Sequence, residues 1–169
     1  MIIIDSREKK FNHIENYFKA HDIPYEVKKL DTGDYFNTDN PSVLVDRKRD
    51  LQEVCSNLSS GKENHTRFTN ECRRAFSDHI RFIVLIEGTN CRELNDIKEW
   101  KSKYSKHTGR WLLGEMFRLT MAYKVEWQLC KKNETARKIL EVLGYDNGRD
   151  QTEHNNEGTT RPIRNQSAE

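Results

Sequence analysis

Phe82-Ile83-Val84-Leu85-Ile86 is the most apolar run in the chain, five residues without a polar interruption. A bilayer span takes about 20 apolar residues, so this run is far too short to be one. Its β-branched content favours a strand, and a strand without a polar face belongs at the centre of a covered sheet. Helices must then lie over that sheet, and the remaining sequence supplies them. Met1–Ile4 is a second wholly apolar run, with the look of a strand buried on both faces, closed by Asp5-Ser6-Arg7-Glu8. Phe11, Ile14 and Phe18 recur at helical spacing to about His21, and Pro24 marks the break. Tyr25–Leu30 alternates as a strand, Thr32-Gly33 turns, and Tyr35-Phe36 begins another. Asp39-Asn40-Pro41 reads as a turn before a Val43–Lys48 strand.

Leu51, Val54, Cys55 and Leu58 share one face of a predicted helix. A flexible polar loop, Ser59–His65, separates it from a helix that points Phe68, Cys72, Ala75 and Phe76 inward. Residues 91–100 suggest a short helix ending near Trp100, and Lys101–Arg110 a basic loop. Leu112, Leu113, Met116, Phe117 and Met121 mark a strongly amphipathic helix. Val125, Trp127 and Leu129 alternate as a last strand, and Ala136, Ile139, Leu140 and Leu143 form a closing helix. The order β-α-β-β-β-α-α-β-α-β-α predicts an α/β fold with a mixed central sheet flanked by helices. After Tyr145 the only apolar residues are Ile163 and Ala168, so 146–169 reads as a polar, disordered tail.

Composition bounds the partners. Charged residues make up 33% of the chain and hydrophobic ones 34%, which calls for a heavily charged, water-exposed surface. The net charge of +2 understates the folded part: 146–169 holds three Arg and five acids, leaving 26 basic against 22 acidic residues in 1–145. A surplus of this size permits a nucleic-acid partner. Cys55, Cys72, Cys91 and Cys130 form no C-x-x-C pair, and three of them fall on apolar faces of predicted elements. They read as small core residues in a reducing compartment. The six histidines show no metal-ligand spacing. With no signal peptide and no membrane-spanning run, the expectation is an intracellular protein, cytoplasmic or nucleoid-associated if the host is prokaryotic or viral.

Chemistry concentrates in Gly33-Asp34-Tyr35 and Val43-Leu44-Val45-Asp46-Arg47-Lys48. Side chains alternate along a strand, so Asp46 and Lys48 share a face about 7 Å apart along the backbone. Asp34 arrives from the preceding strand, so two acids and one amine can converge on a sheet edge. That set meets the minimum for Mg²⁺-dependent phosphodiester hydrolysis: oxygen ligands for a hard cation and a positive group beside the attacking water. Acid-x-Lys is also common on solvated strand faces, so the pattern alone does not decide.

Five ordered segments do more. Ile3-Ile4-Asp5-Ser6-Arg7-Glu8, Gly33-Asp34-Tyr35, Val45-Asp46-Arg47-Lys48, Arg67-Phe68-Thr69-Asn70-Glu71-Cys72-Arg73-Arg74 and Val84-Leu85-Ile86-Glu87-Gly88 together resemble the nuclease domain of XPF-type structure-specific endonucleases, a branch of the PD-(D/E)xK superfamily. The resemblance covers residues 1–145 and implies a restriction-endonuclease-like fold. It implies a Mg²⁺- or Mn²⁺-dependent DNA endonuclease acting on branched, flapped or otherwise structured DNA. A catalytically silent DNA-binding or regulatory partner that keeps the fold is the alternative. By the same resemblance Asp34 and Asp46 are metal ligands, with the Arg47 carbonyl as a third, and Lys48 is the catalytic lysine. Glu8 and Asp5 line the same cleft, and Arg67 holds a phosphate. Relatives often carry helix-hairpin-helix domains, and nothing after residue 145 reads as one. Substrate choice would then come from the domain itself, a homodimer or a partner protein, with Leu112–Met121 or the last helix as the pairing face, unless that face is core.

Two departures bear on the site. The family's usual Glu is here Asp46, one methylene shorter, which draws a metal closer to the strand. Asp50 follows Lys48 with only Arg49 between, earlier than the family's further acid. It fills that role or caps the next helix, and Asp50-Leu51-Gln52-Glu53 favours the cap. Other residues keep two readings. Arg7 and Glu8 belong to the cleft, Arg7 touching DNA, or form a surface pair at a helix start. Arg67 and Glu71 are cleft residues or a solvated i,i+4 pair. Glu87 is a cleft acid or a buried hydrogen-bonding one. Lys101, Lys103, Lys106 and Arg110, with Tyr104 and His107 among them, track a DNA backbone or form a wet loop.

Overall fold

The computed structural model describes residues 1–59, 61 and 63–145. The predicted tail, 146–169, lies outside the described residues. Six strands form one sheet: β1 (Ile2–Asp5), β2 (Tyr25–Lys28), β3 (Tyr35–Asn37), β4 (Asn40–Lys48), β5 (Arg81–Ile86) and β6 (Glu126–Leu129). Their spatial order is β2-β1-β3-β4-β5-β6. β1 runs parallel to β2, β3 antiparallel to both β1 and β4, and β4, β5 and β6 run parallel. The mixed sheet matches the expectation; Phe82–Ile86 is an interior strand, paired on both sides and fully covered, but it stands next to the edge strand β6 and not at the centre.

Strand periodicity divides the molecule into two cores. Leu44, Phe82, Val84 and Ile86 face helices α2 (Leu51–Leu58), α3 (Glu63–Ser77) and α4 (Gly109–Tyr123). Val43, Val45, Ile83 and Leu85 face α1 (Asn12–Ala20) and α5 (Thr135–Val142). Ile14 and Phe18, one helical turn apart, anchor α1 in the second core. All four cysteines are free, and Cys55, Cys72 and Cys130 are buried, as small core residues should be.

Several boundaries differ from those expected. β4 starts at Asn40 rather than after Pro41, because Asn37 and Asn40 pair across a tighter turn at Thr38-Asp39. β2 stops at Lys28; Leu30 N–H and its carbonyl turn instead toward Asp5 and Arg7. α3 begins at Glu63, inside the segment read as a flexible loop. The ambiguous stretch 91–100 holds a 3₁₀ turn, Leu94–Glu99. That turn lies against the start of α4 so closely that a Cβ on Gly109 would fall 1.7 Å from the Ile97 carbonyl oxygen. Only glycine fits there, and its N–H donates to the Trp100 carbonyl at 2.6 Å.

The apolar stripe of α4 is split. Leu112, Met116 and Leu119 are buried, whereas Phe117 and Met121 are 65% and 60% exposed. Phe76, expected inward, is also exposed and meets Tyr123 edge-on. Part of the predicted pairing face is therefore intramolecular core. Among the described residues, no helix is long and apolar enough to cross a membrane.

Candidate active site

Gly33 opens the site. Its φ of +71° suits glycine, and a Cβ would meet the Val45 carbonyl at 3.2 Å. The turn delivers Asp34 against the end of β4, where its N–H donates to Val45 O and its carbonyl accepts from Asp5 N–H, both at 2.8 Å. One carboxylate oxygen, Oδ2, accepts the Arg47 N–H at 2.8 Å. A strand residue turns its N–H and C=O to the same side, so the Arg47 carbonyl also points toward Asp34.

Asp46 and Lys48 continue the parity of Leu44 and so face α2 and α3. The Lys48 ammonium lies 2.6 Å from Asp46 Oδ2. This is an ion pair by distance, yet that buried oxygen has no aligned hydrogen-bond donor. The Phe68 ring sits 4.9 Å from the same ammonium. Burial works against the charge on Lys48, but Asp46 and Asp34 outweigh it and raise its pKa. The neighbouring carboxylates therefore favour its charged form. Asp34 has the opposite problem: burial first, then Asp46 and Glu8, push its pKa well above the ordinary carboxylate range.

The even–odd alternation that pairs Asp46 with Lys48 sends the Arg47 side chain to the other face. There its guanidinium is held by Glu8, by Glu87 and by the Lys9 carbonyl. Burial raises the Glu8 pKa, against the lowering pull of Arg47. Glu87 also accepts from Thr135 Oγ1 at 2.7 Å and contacts His13 Nε2 at 2.9 Å.

Asp5, Arg7, Glu8, Asp34, Asp46, Arg47, Lys48, Arg67 and Glu71 all line one cleft of about 170 Å³. Within it the Asp5 carboxylate is taken by Arg7, which leaves Arg67 as an exposed cation at the rim. Burial raises the Glu71 pKa as well. Glu87 does not line this cleft: Ile83, Leu85 and Glu87 share one parity, and it is a buried hydrogen-bonding acid on the far face. Asp50 lies outside too, its side chain accepting the Glu53 N–H at 2.8 Å as the N-cap of α2. Lys101, Lys103, Lys106 and Arg110 stand away from the acids, Lys103 lining a neighbouring groove.

Glu53 and Asn57 line the acid cleft and were not among the sequence candidates. Both follow from α2 itself, one helical turn apart on its sheet-facing side. His13 and Thr135, which complete the Glu87 cluster, carry no local sequence signal, because their partner is distant in the chain.

A divalent cation fits the donor set: the buried Asp46 oxygen meets no aligned hydrogen-bond donor, and two neighbouring acids crowd the Asp34 carboxylate. Among the described residues no three His, Cys, Asp or Glu side chains group as a metal shell. Two carboxylates and a main-chain carbonyl are hard oxygen donors of the kind Mg²⁺ and Mn²⁺ take alongside water and phosphate oxygens.

The sheet, its flanking helices and the acid cleft at the ends of the interior strands β1 and β4 define a restriction-endonuclease-like α/β domain. Residues 4–142 match the ERCC4 domain. The chain belongs to that family, as an XPF-type nuclease domain. No curated protein matches its sequence. Among solved structures it is similar to XPF from Aeropyrum pernix, at 19% identity and a TM-score of 0.63, over 84% of this chain and 62% of that one. XPF from the same organism in complex with DNA is similar at 19% identity and a TM-score of 0.62, over 85% and 62%. This chain thus spans less than two thirds of the length of those relatives.

Proposed function

We propose that this domain is a Mg²⁺- or Mn²⁺-dependent endonuclease that hydrolyses phosphodiester bonds in branched, flapped or otherwise structured DNA. The observation that carries the reading is the convergence of Asp34, Asp46 and Lys48 in one cleft, with an Asp46 oxygen left without a donor. The DNA complex of the similar Aeropyrum pernix XPF supports DNA as the substrate.

Asp34, Asp46 and the Arg47 carbonyl would hold the cation, which when bound lowers the pKa of a water and offsets charge on the scissile phosphate. Lys48 orients the water and, as an ammonium, stabilises the negative charge of the in-line transition state. Arg67 at the rim offers a bidentate fork to a flanking phosphate. Arg47 acts through position: its N–H fixes Asp34, while its guanidinium ties β4 to Glu8 and Glu87.

Asp46→Asn tests the reading. Removing one of two clustered acids relieves repulsion toward phosphate, worth on the order of 1–4 kcal/mol per unit charge at such range. The variant should bind forked DNA in EDTA at least as tightly as wild type. It should lose Mn²⁺ binding by calorimetry and nearly all cleavage in Mg²⁺. Retained cleavage by a folded Asp46→Asn protein would remove the metal site. Wild-type protein that binds forks without cutting them would establish the silent-partner alternative.

A further inference from the structure

Three depressions adjoin one another on the α2 side of the molecule. The acid cleft shares Glu53, Asn57 and Arg67 with a second depression, which shares Asp50, Gln52 and Tyr104 with a groove of about 850 Å³. A continuous track therefore leads from Asp46 and Lys48 past Arg67 to Tyr104 and on to Trp100.

Tyr104 stands between the last two depressions and is 84% exposed. Its loop is nevertheless built. Gln52 Oε1 accepts from Ser102 Oγ at 3.1 Å and from Lys103 N–H at 3.0 Å. Ser102 Oγ in turn accepts from the N–H groups of Tyr104 and Ser105, at 3.2 and 3.1 Å. The loop base is closed by a bridge between Lys101 and Thr108. An aromatic ring on a braced loop loses little freedom when a flat partner covers it.

The loop itself carries charge of one sign: residues 100–110 hold Lys101, Lys103, Lys106 and Arg110 and no acid. Acids do line the groove beyond it. Asp50 and Asp96 accept main-chain N–H groups, Asp50 from Glu53 and Asp96 from Arg92 and Glu93, and Glu99 is exposed. One open ring among cations on a long polar track matches the way single strands are held: bases stack on aromatics and the groove follows the backbone. Bases inside a duplex are already stacked on both faces, so only an unpaired base has a face to offer the ring.

We propose that this track is a single-strand subsite, in which Tyr104 stacks on an unpaired base of the DNA strand running out of the acid cleft and the loop lysines offset its phosphates. The proposal rests on the reading of that cleft as a DNA site, and it names the feature that distinguishes structured from plain duplex DNA.

Fluorescence anisotropy in EDTA tests it, with two labelled probes: a fork with two unpaired arms and a blunt duplex of the same length. Tyr104→Ala should weaken fork binding by about 5- to 150-fold, the range that a base–aromatic stack of 1–3 kcal/mol implies. It should leave the blunt duplex within about twofold, and Tyr104→Trp should keep the fork affinity. Circular dichroism of each variant establishes that it is folded. A fork affinity unchanged by Tyr104→Ala, or an equal loss on both probes, overturns the subsite while leaving the cleft reading in place. Wild-type protein that binds neither probe removes both.

Discussion

Asp34 is held by its main chain in a place where its charge is disfavoured. Two backbone hydrogen bonds fix it, and burial, Asp46 and Glu8 all push its carboxyl toward the neutral form. A carboxyl whose folded pKa lies above its unfolded value costs stability once pH rises through the folded value, and costs nothing below the unfolded one. Asp34→Asn removes that cost and keeps an acceptor for the Arg47 N–H. In EDTA at pH 8 the variant should melt a few degrees higher than wild type, about 2–4 °C for each kcal/mol relieved in a chain of this size. The gain should shrink as pH falls from the raised folded value toward the ordinary Asp range, about 4, below which the unfolded carboxyl is protonated as well and no cost remains. Mg²⁺ should raise the melting temperature of wild type and not of the variant. Equal melting curves at pH 8 would show that Asp34 is not strained by its neighbours. Asp46 and Lys48 could be paired from strand periodicity alone. The same count places Arg47 on the opposite face, but it takes the register of β5 on β4 to put Glu87 there too and to settle which of its two readings holds.

At the scale of elements, α2 links chemistry to architecture. It starts three residues after Lys48, and its N-cap is Asp50, whose side chain accepts the Glu53 N–H while Glu53 accepts the Arg49 N–H. The cap itself is visible in Asp50-Leu51-Gln52-Glu53; the return bond falls one residue earlier than a capping box places it, on Arg49. Asp50→Ala should cost about 1 kcal/mol, the usual value of an N-cap. Urea denaturation measures that loss, and cleavage per folded molecule should stay at the wild-type level. A variant that unfolds normally yet cannot cut would make Asp50 a site acid after all. Other elements were less legible. The apolar stripe of α4 is broader than its buried strip, since Phe117 and Met121 have the same composition as core but no neighbouring element to cover them. Periodicity gives the direction of a face and cannot give the extent of what packs on it.

Over the whole molecule, the Arg47 cluster joins parts that are distant in sequence. Glu8, His13, Arg47, Glu87 and Thr135 come from the β1–α1 segment, α1, β4, the end of β5, and α5. Arg47 is almost fully buried, and its charge there depends on two carboxylates. Breaking a buried pair by removing one partner typically costs about 3–5 kcal/mol, because the other charge is left uncompensated. Glu87→Ala should therefore lower the melting temperature by roughly 6 °C or more, at about 2–4 °C per kcal/mol. Glu87 does not line the acid cleft and reaches it only through the Arg47 guanidinium, so cleavage measured well below that temperature should persist. A Glu87→Ala protein as stable as wild type would show that Glu8 alone neutralises Arg47.

The sequence by itself determined the order of elements, the covering of Phe82–Ile86 on both faces, the α/β class, the N-cap and the identity of the acids and the lysine; it misplaced that strand at the sheet centre. These depend on periods of 2 and 3.6, on turn residues and on short-range caps, all of which are local. Only the tertiary structure decided that Asp34 meets Arg47 N–H across two strands, and that Glu87 serves Arg47, His13 and Thr135. Only there does the Tyr104 loop lean on Gln52 of α2. Each of these is a contact between residues well apart in the chain, set by strand order and helix packing. No window of sequence contains both partners, so the physics that joins them acts only once the sheet has formed.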